Sequence, residues 1–275
     1  MPHDLHITST QNPKIKELLA LRDKRDRDRT GLFLIEGYRE LLRALSSGVS
    51  LRAIYMCPHF FLGENEGALL DEARSKGASI IKCDEKVFGK ISYRDRPDGL
   101  LGLAKAMRTS LSDLEGKLAG VRNPLLVVAE SIEKPGNLGT ILRSADGAGA
   151  NGVIVSDRCT DIYNPNVVRA SVGTLFTQPV IETTSEEAID FLKKQGIRIV
   201  ASTPGASTLY YEVDFRPSCA IILGTEQLGL TNIWLERADE KVRIPMQGVA
   251  DSLNVAMAST ILLYEAARQR AAHTL

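Results

Sequence analysis

Three spaced segments in the C-terminal half of this 275-residue chain carry side chains suited to positioned polar chemistry. The first is Asn137-Leu138-Gly139-Thr140-Ile141-Leu142-Arg143, with Gly136 just before it. The second runs from Leu223 through Gly224, Glu226 and Gln227 to Leu230. The third is Ile244-Pro245-Met246-Gln247-Gly248, continuing into Ser252-Leu253-Asn254. Each joins a strand end to glycines, whose missing Cβ lets backbone approach a ligand closely, and adds one or two polar side chains. None contains a metal-ligand cluster, a nucleophilic cysteine or a phosphate-loop lysine. Three such loops closing on one pocket suit a large, neutral-to-cationic cofactor. They suit a reaction that runs on alignment and charge stabilisation.

The elements that must position these residues follow from the surrounding pattern. Residues 124–130 read as a buried, parallel-type strand, so the loop after it presents Asn137 at a helix start. With a helix from about Leu138, Arg143 stands on its second turn at 3.6 residues per turn and reaches back towards the loop mouth. That helix N-terminus also favours a phosphate. Gly224 follows the strand Ala220-Ile221-Ile222-Leu223 and allows close approach to a ligand. Asp251 or Ser252 is a candidate cap for a final apolar-rich helix over about 252–271. Backbone around Ile244 and Leu253, with apolar walls, suits an adenine ring. The run Gly147-Ala148-Gly149-Ala150-Asn151-Gly152 spells a dinucleotide fingerprint, but it ends a helix and precedes a strand. The fingerprint needs the opposite order, so these glycines read as a helix C-terminus.

The three segments, in order over roughly residues 122–270, closely resemble the SpoU/TrmH family of RNA ribose 2′-O-methyltransferases in the SPOUT superfamily. Two positions depart from the usual family residues: Gln227 stands where Gly is common, and Ala256 where many relatives have Ser. The resemblance implies an α/β catalytic domain with a deep trefoil knot, a rare exception to ordinary connectivity. It implies S-adenosylmethionine as cofactor, held by Thr203, Leu223, Gly224, Ile244, Met246 and Leu253. It also implies catalytic roles for Asn137, Arg143, Glu226, Ser252 and Asn254, and a homodimer formed through the catalytic domain. Arg143 is the family's key residue. A guanidinium with a pKa above about 12 is a poor base, so the expected role is to bind the adjacent phosphate and stabilise the developing alkoxide, with Asn137 and Asn254 orienting it or the ribose.

The N-terminal part alternates helical and strand segments. A helix over 13–28, capped by Asn12 and started by Pro13, is followed by strands at 31–37, 51–56, 78–82 and 99–104. Helices fall around 40–45 and 66–76. Behind a SpoU-like half, this α/β/α pattern resembles a ribosomal-protein-L30e-like substrate-binding domain. The expected partition is residues 1–107 for that domain, 108–121 for a linker with one helical turn around Leu111–Leu118, and 122–275 for the catalytic domain.

Composition sets outer bounds. Hydrophobic residues make up 44% and charged residues 25%, ordinary for a globular protein. No apolar run reaches membrane-spanning length, and the start lacks the features of a secretory signal. A cytoplasmic protein is expected. Cys57, Cys83, Cys159 and Cys219 lack metal-ligand spacing and read as free thiols in a reducing compartment. The net charge is zero, yet residues 1–110 hold 19 basic and 15 acidic side chains, and the remainder the reverse. That mild asymmetry is compatible with an RNA-facing N-terminal half, with Arg22, Lys24, Arg25 and Arg39 as candidate contacts by charge. The leading expectation is a methyltransferase acting on rRNA, 23S rRNA first. A tRNA 2′-O-methyltransferase, an antibiotic-resistance methyltransferase and a non-catalytic RNA-binding protein on the same fold stay open as alternatives.

Overall fold

A computed structural model describes residues 5–271. In chain order the first elements are β1 (Leu5–Ile7), α1 (Pro13–Ala20), α2 (Lys24–Thr30), β2 (Leu32–Glu36), α3 (Tyr38–Ser46), β3 (Leu51–Met56), α4 (Glu66–Ser75), β4 (Ser79–Cys83), α5 (Glu85–Ile91) and β5 (Leu100–Lys105). There follow α6 (Leu111–Leu118), β6 (Leu125–Glu130), α7 (Pro135–Gly147), β7 (Gly152–Ser156), α8 (Pro165–Ser171), α9 (Thr174–Thr177), β8 (Val180–Thr183) and α10 (Ser185–Lys194). The chain closes with β9 (Arg198–Ser202), β10 (Thr208–Leu209), β11 (Cys219–Leu223), α11 (Asn232–Arg237), β12 (Glu240–Arg243) and α12 (Val255–Ala271). The chain divides into two compact units, Met1–Met107 with Asp161–Thr177, and Arg108–Thr160 with Gln178–Leu275.

The first unit is built on a five-stranded mixed sheet of order β1-β4-β3-β5-β2. Its core gathers Ile15, Leu18, Leu34, Tyr55, Ile81, Phe88 and Leu101. The single helix expected over 13–28 is two. Asn12 caps α1 by accepting from the Lys14 amide, and Asp23 opens α2 by accepting from the Arg25 amide. A charged run that could have continued the helix instead supplies a second N-cap. Two of its cations are structural. Arg22 donates to the carbonyls of Lys90, Ile91 and Ser92 at 2.9–3.1 Å, and its guanidinium lies 4.5 Å from the Tyr93 ring centre. Arg27 is buried and pairs with Asp161 at 2.7 Å. The Asp161–Thr177 segment groups with this unit by its contacts. It packs Tyr163 and Phe176 against Phe33, with ring centres 4.3 and 6.0 Å apart.

The second unit carries a seven-stranded sheet of order β10-β12-β9-β11-β6-β7-β8, every pairing parallel. β6, β7 and β11 are buried at every residue, as strands covered on both faces must be. Residues 108–121 are not a free connection. Ser110 and Asp113 form a reciprocal capping box at the start of α6, and Leu114 and Leu118 enter the core with Leu126, Ile181 and Ile199. The glycine run after α7 does end a helix: α7 stops at Gly147, and Gly149 takes a positive φ of 73°. Because the sheet is parallel throughout, the carboxyl ends of β6, β9, β11 and β12 share one edge. Ligands of open α/β sheets bind at that edge.

Candidate functional site

The loop after β6 enters α7 at Pro135, a residue pre-set for the first helical position. Asn137 therefore lies in the first turn and not ahead of it. The loop after β11 folds back on itself: the Thr225 amide donates to the Gly229 carbonyl and the Gly229 amide to the Thr225 carbonyl, both at 3.1 Å. Gly229 has φ 68°, and a Cβ on Gly224 would stand 2.4 Å from the Gly229 carbonyl. Gly224 thus also makes room for the chain's own returning backbone. Gln227 sits at the tip, and the turn is completed by the Leu228 amide donating to Thr225 Oγ1 at 3.0 Å. At the far end of the loop, the buried Glu130 carboxylate accepts from the Thr231 amide at 3.0 Å and from its hydroxyl. Burial pushes Glu130 above the usual carboxylate range, opposed by those two bonds.

This geometry brings together three of the expected residues. Glu226 Oε1 accepts from Asn137 Nδ2 and, at 2.7 Å, from Asn254 Nδ2, which also donates to Asn137 Oδ1 at 3.2 Å. Glu226 Oε2 accepts from Lys134 Nζ. The Lys134 ammonium holds Glu226 below the usual carboxylate range; partial burial opposes this, and the Asn137 amide adds to it. Lys134 is absent from the expected set. Its partner lies 92 residues away, and no local spacing marks it. The α12 cap also differs: neither Asp251 nor Ser252 serves. Asn254 Oδ1 accepts from the Ala256 amide at 3.0 Å.

Arg143 stands apart from this network. It is exposed on α7, and its side chain makes no hydrogen bond or ion pair among the described residues. Six residues on a helix turn about 600°, which puts Arg143 and Asn137 on different faces of α7.

Beside the network lies a cavity of about 350 Å³. All six expected cofactor residues, Thr203, Leu223, Gly224, Ile244, Met246 and Leu253, line it, and so do Glu226 and Ser252. Leu230, Leu235 and Val255 extend its apolar wall, and Asp251 adds a carboxylate. Apolar walls with a few convergent polar groups suit an adenosine-sized ligand, and a carboxylate in the wall suits one that carries positive charge. The residues present therefore fit S-adenosylmethionine. Among the described residues no cluster of His, Cys, Asp or Glu is arranged to hold a metal ion.

The chain is similar to known proteins over nearly its whole length. The 23S rRNA (guanosine(2553)-2′-O)-methyltransferase RlmP of Bacillus subtilis (strain 168) is 30% identical over 258 residues, covering 94% of this chain and 97% of that one. The 23S rRNA (uridine(2479)-2′-O)-methyltransferase of Streptomyces viridochromogenes is 31% identical over 277 residues, covering 98% and 94%. The crystal structure of an AdoMet-bound rRNA methyltransferase from Sinorhizobium meliloti aligns with a TM-score of 0.87 at 31% identity, covering 98% of each chain. Residues 12–102 match the MRM3-like substrate binding domain. Residues 124–264 match the SpoU rRNA Methylase family, and the chain belongs to that family.

Proposed function

We propose that this protein methylates a ribose 2′-hydroxyl of RNA, with 23S rRNA as substrate and S-adenosylmethionine as methyl donor. The observation that carries the reading is the meeting of Asn137, Glu226 and Asn254 beside the cavity lined by Leu223, Ile244, Met246 and Leu253. Family membership and the 2′-O-methyltransferase relatives support it. The two relatives' names specify different nucleotides, so the base that carries the modified ribose is a separate question.

The cofactor, when bound, supplies an electrophilic sulfonium methyl. The chain's own task is to align the ribose and help its hydroxyl lose a proton. Alignment contributes about 7–11 kcal/mol in well-oriented systems. Glu226 and Lys134 fix the Asn137 and Asn254 amides, and these rigid amides orient the ribose. Arg143 is free of internal partners among the described residues, so its guanidinium can engage the substrate phosphate and stabilise the alkoxide as it forms. Ser252 stands in the cavity wall, where its hydroxyl can meet the cofactor or the ribose.

The N-terminal unit serves as the RNA-binding part. The catalytic unit forms a homodimer: Leu253, Met257 and Tyr264 are exposed apolar residues at helical spacing on and just before α12. The trefoil knot implied by the resemblance completes the proposed architecture. An rRNA substrate fits a cytoplasmic site of action. No helix among the described residues is long and apolar enough to cross a membrane.

The test is transfer of labelled methyl from S-adenosylmethionine to total rRNA and tRNA from a strain lacking the protein, followed by mapping of alkali-resistant linkages. One resistant site in 23S rRNA is the expected result. Label in tRNA alone overturns the choice of substrate. Cofactor binding without label in either RNA, or in intact ribosomal particles, supports the non-catalytic alternative.

A further inference from the structure

The two segments that meet at Glu226 are joined a second time, at their roots. Glu130 is the last residue of β6, and the chain that leaves it carries Lys134 and Asn137, both donors to Glu226. Thr231 ends the loop after β11, the loop that carries Glu226 itself. Glu130 Oε2 accepts from the Thr231 amide at 3.0 Å, and Oε1 accepts from the Thr231 hydroxyl. One carboxyl group therefore takes both donors of a single residue, 101 positions away in the chain.

Stability alone does not account for this contact. Glu130 is 1% exposed, and among the described residues no Lys or Arg pairs with it. Burial pushes its carboxyl above the usual range, the Thr231 bonds oppose that, and the Asp157 charge adds to it. A carboxyl buried without a cation is costly, and apolar groups of the same shape can hold such a space as well. Thr231 also forgoes a local bond. It stands at the N-cap of α11, where a threonine hydroxyl ordinarily accepts from the first turn, yet it makes no capping bond there. Nor does α11 depend on Glu130 for its seat. Trp234 is fully buried in the core, and its Nε1 donates to Ser185 Oγ at 2.8 Å. What the carboxyl fixes is the junction between loop and helix.

That junction touches the rest of the loop. Gly229 and Leu230 press on Gly224, where a Cβ would stand 2.5 Å from the Leu230 nitrogen. Gly229 is closed onto Thr225 by two backbone bonds, and Glu226 follows directly. A fixed root thus favours the one arrangement in which Glu226 reaches Lys134, Asn137 and Asn254 and residues 223–230 wall the cavity. Supporting hydrogen bonds of this kind hold a site in its productive geometry.

We propose that Glu130 is a positioning residue for methyl transfer: through Thr231 it sets the loop after β11, and so presets both Glu226 and that loop's wall of the cofactor cavity. The inference rests on the RNA-methylating reading given above.

The experiment uses the full chain and four variants: Glu130→Gln, Thr231→Val, the two combined, and Thr231→Ser. Measurements are made at a temperature where melting curves show each variant folded. They are hydrogen exchange of residues 224–231 by mass spectrometry without ligand, S-adenosylmethionine affinity by calorimetry, and turnover at saturating cofactor. Glu130→Gln and Thr231→Val should each weaken cofactor binding about fivefold, the order of one hydrogen bond. Each should also quicken exchange in 224–231 and lower turnover, while emission of Trp234, the single tryptophan, stays as in wild type. Thr231→Ser keeps the hydroxyl and should recover the affinity. The combined variant should be about as weak as the poorer single one, because residues that act through each other are not additive. A residue that served folding alone would leave affinity and turnover of the folded protein unchanged. Wild-type exchange and affinity in Glu130→Gln therefore overturn the proposal, and so do losses that multiply in the combined variant. Should Glu130→Gln fail to fold, Thr231→Val against Thr231→Ser decides, and equal cofactor affinities in those two overturn it. Failure of the methyl-transfer reading would appear separately, as wild-type protein that labels no RNA, and exchange and cofactor affinity would still decide the role of Glu130.

Discussion

Asn254 joins Glu226 to the start of α12: its Nδ2 donates to Glu226 Oε1 at 2.7 Å while its Oδ1 caps the helix through the Ala256 amide at 3.0 Å. One side chain thus ties the carboxylate of the loop after β11 to a helix N-terminus. Two substitutions separate the tasks. Asn254→Ala removes both and is expected to cost about 1 kcal/mol in stability, the usual worth of an N-cap, together with most of the methyl transfer. Asn254→Asp keeps the cap but sets a carboxylate against Glu226. Thermal melting should then stay near wild type while activity falls. Equal losses of stability in both variants would mean that the network, and not the cap, holds α12.

Glu226 should titrate below an ordinary glutamate, because Lys134 and then Asn137 donate to it. The sign is that of a depressed carboxylate: its contribution to folding is complete above the unfolded value near 4.5 and is lost as pH falls through the lower folded value. Lys134→Met removes the largest cause. Carbon-13 titration of the labelled carboxyl should show Glu226 moving up towards 4.5, and the acid limb of the activity profile should move up with it. An unmoved titration would assign the shift to the two asparagines.

The three loops were legible because their chemistry is local. Asn137, Glu226 and Asn254 each sit beside glycine or proline at a strand or helix end, where short-range pattern carries the signal. Lys134 was not legible, since only the fold brings it to Glu226. A second demand on Gly224 was not legible for a related reason: it must also clear the backbone of Gly229, which only the closed turn brings near. The sheets were read mostly from buried strands of β-branched and aliphatic residues. The placement of Asp161–Thr177 was invisible, because Arg27–Asp161 is a contact between residues 134 apart in the chain.

Removing Asp161 should destabilise the first unit. Its carboxylate is the buried partner of Arg27, and breaking such a pair from one side costs about 3–5 kcal/mol. Arg27 also donates to the Leu21 and Arg22 carbonyls at 2.8 Å, which keeps the expected loss for Asp161→Ala near the lower figure. Urea unfolding monitored at the single tryptophan, Trp234 of the second unit, should change less than circular dichroism of the whole chain. A wild-type urea midpoint would remove Asp161–Thr177 as a structural part of that unit.

Leu114 gives the matching test for the second unit. It is fully buried against Leu126 and Ile181, so Leu114→Ala should cost about 2–5 kcal/mol by urea unfolding. A change under about 0.5 kcal/mol, typical of exposed sites, would return residues 108–121 to the status of a linker.

The proposed homodimer places Met257, 57% exposed, at a subunit contact. Met257→Arg introduces a charge whose desolvation an apolar interface resists. Light scattering should show a shift from dimer to monomer with little change in thermal melting of the monomer. A wild-type protein that is monomeric at micromolar concentration would sink the dimer outright.

Arg143 is exposed and unpaired among the described residues, and a long cation left free of internal partners can meet an incoming anion. Guanidinium offers a planar fork that can grip a phosphate and an adjacent oxygen together, whereas an ammonium is a compact point charge. Arg143→Lys keeps the charge and loses the fork. Loss of one preorganised donor to a developing oxyanion typically lowers kcat on the order of 100-fold. The same fall is expected here, with S-adenosylmethionine affinity unchanged by calorimetry because Arg143 does not line the cofactor cavity. A drop in cofactor affinity would instead place the residue in the binding of the donor. Near-normal turnover would remove it from the chemistry, leaving the Asn137–Glu226–Asn254 network to orient the ribose alone.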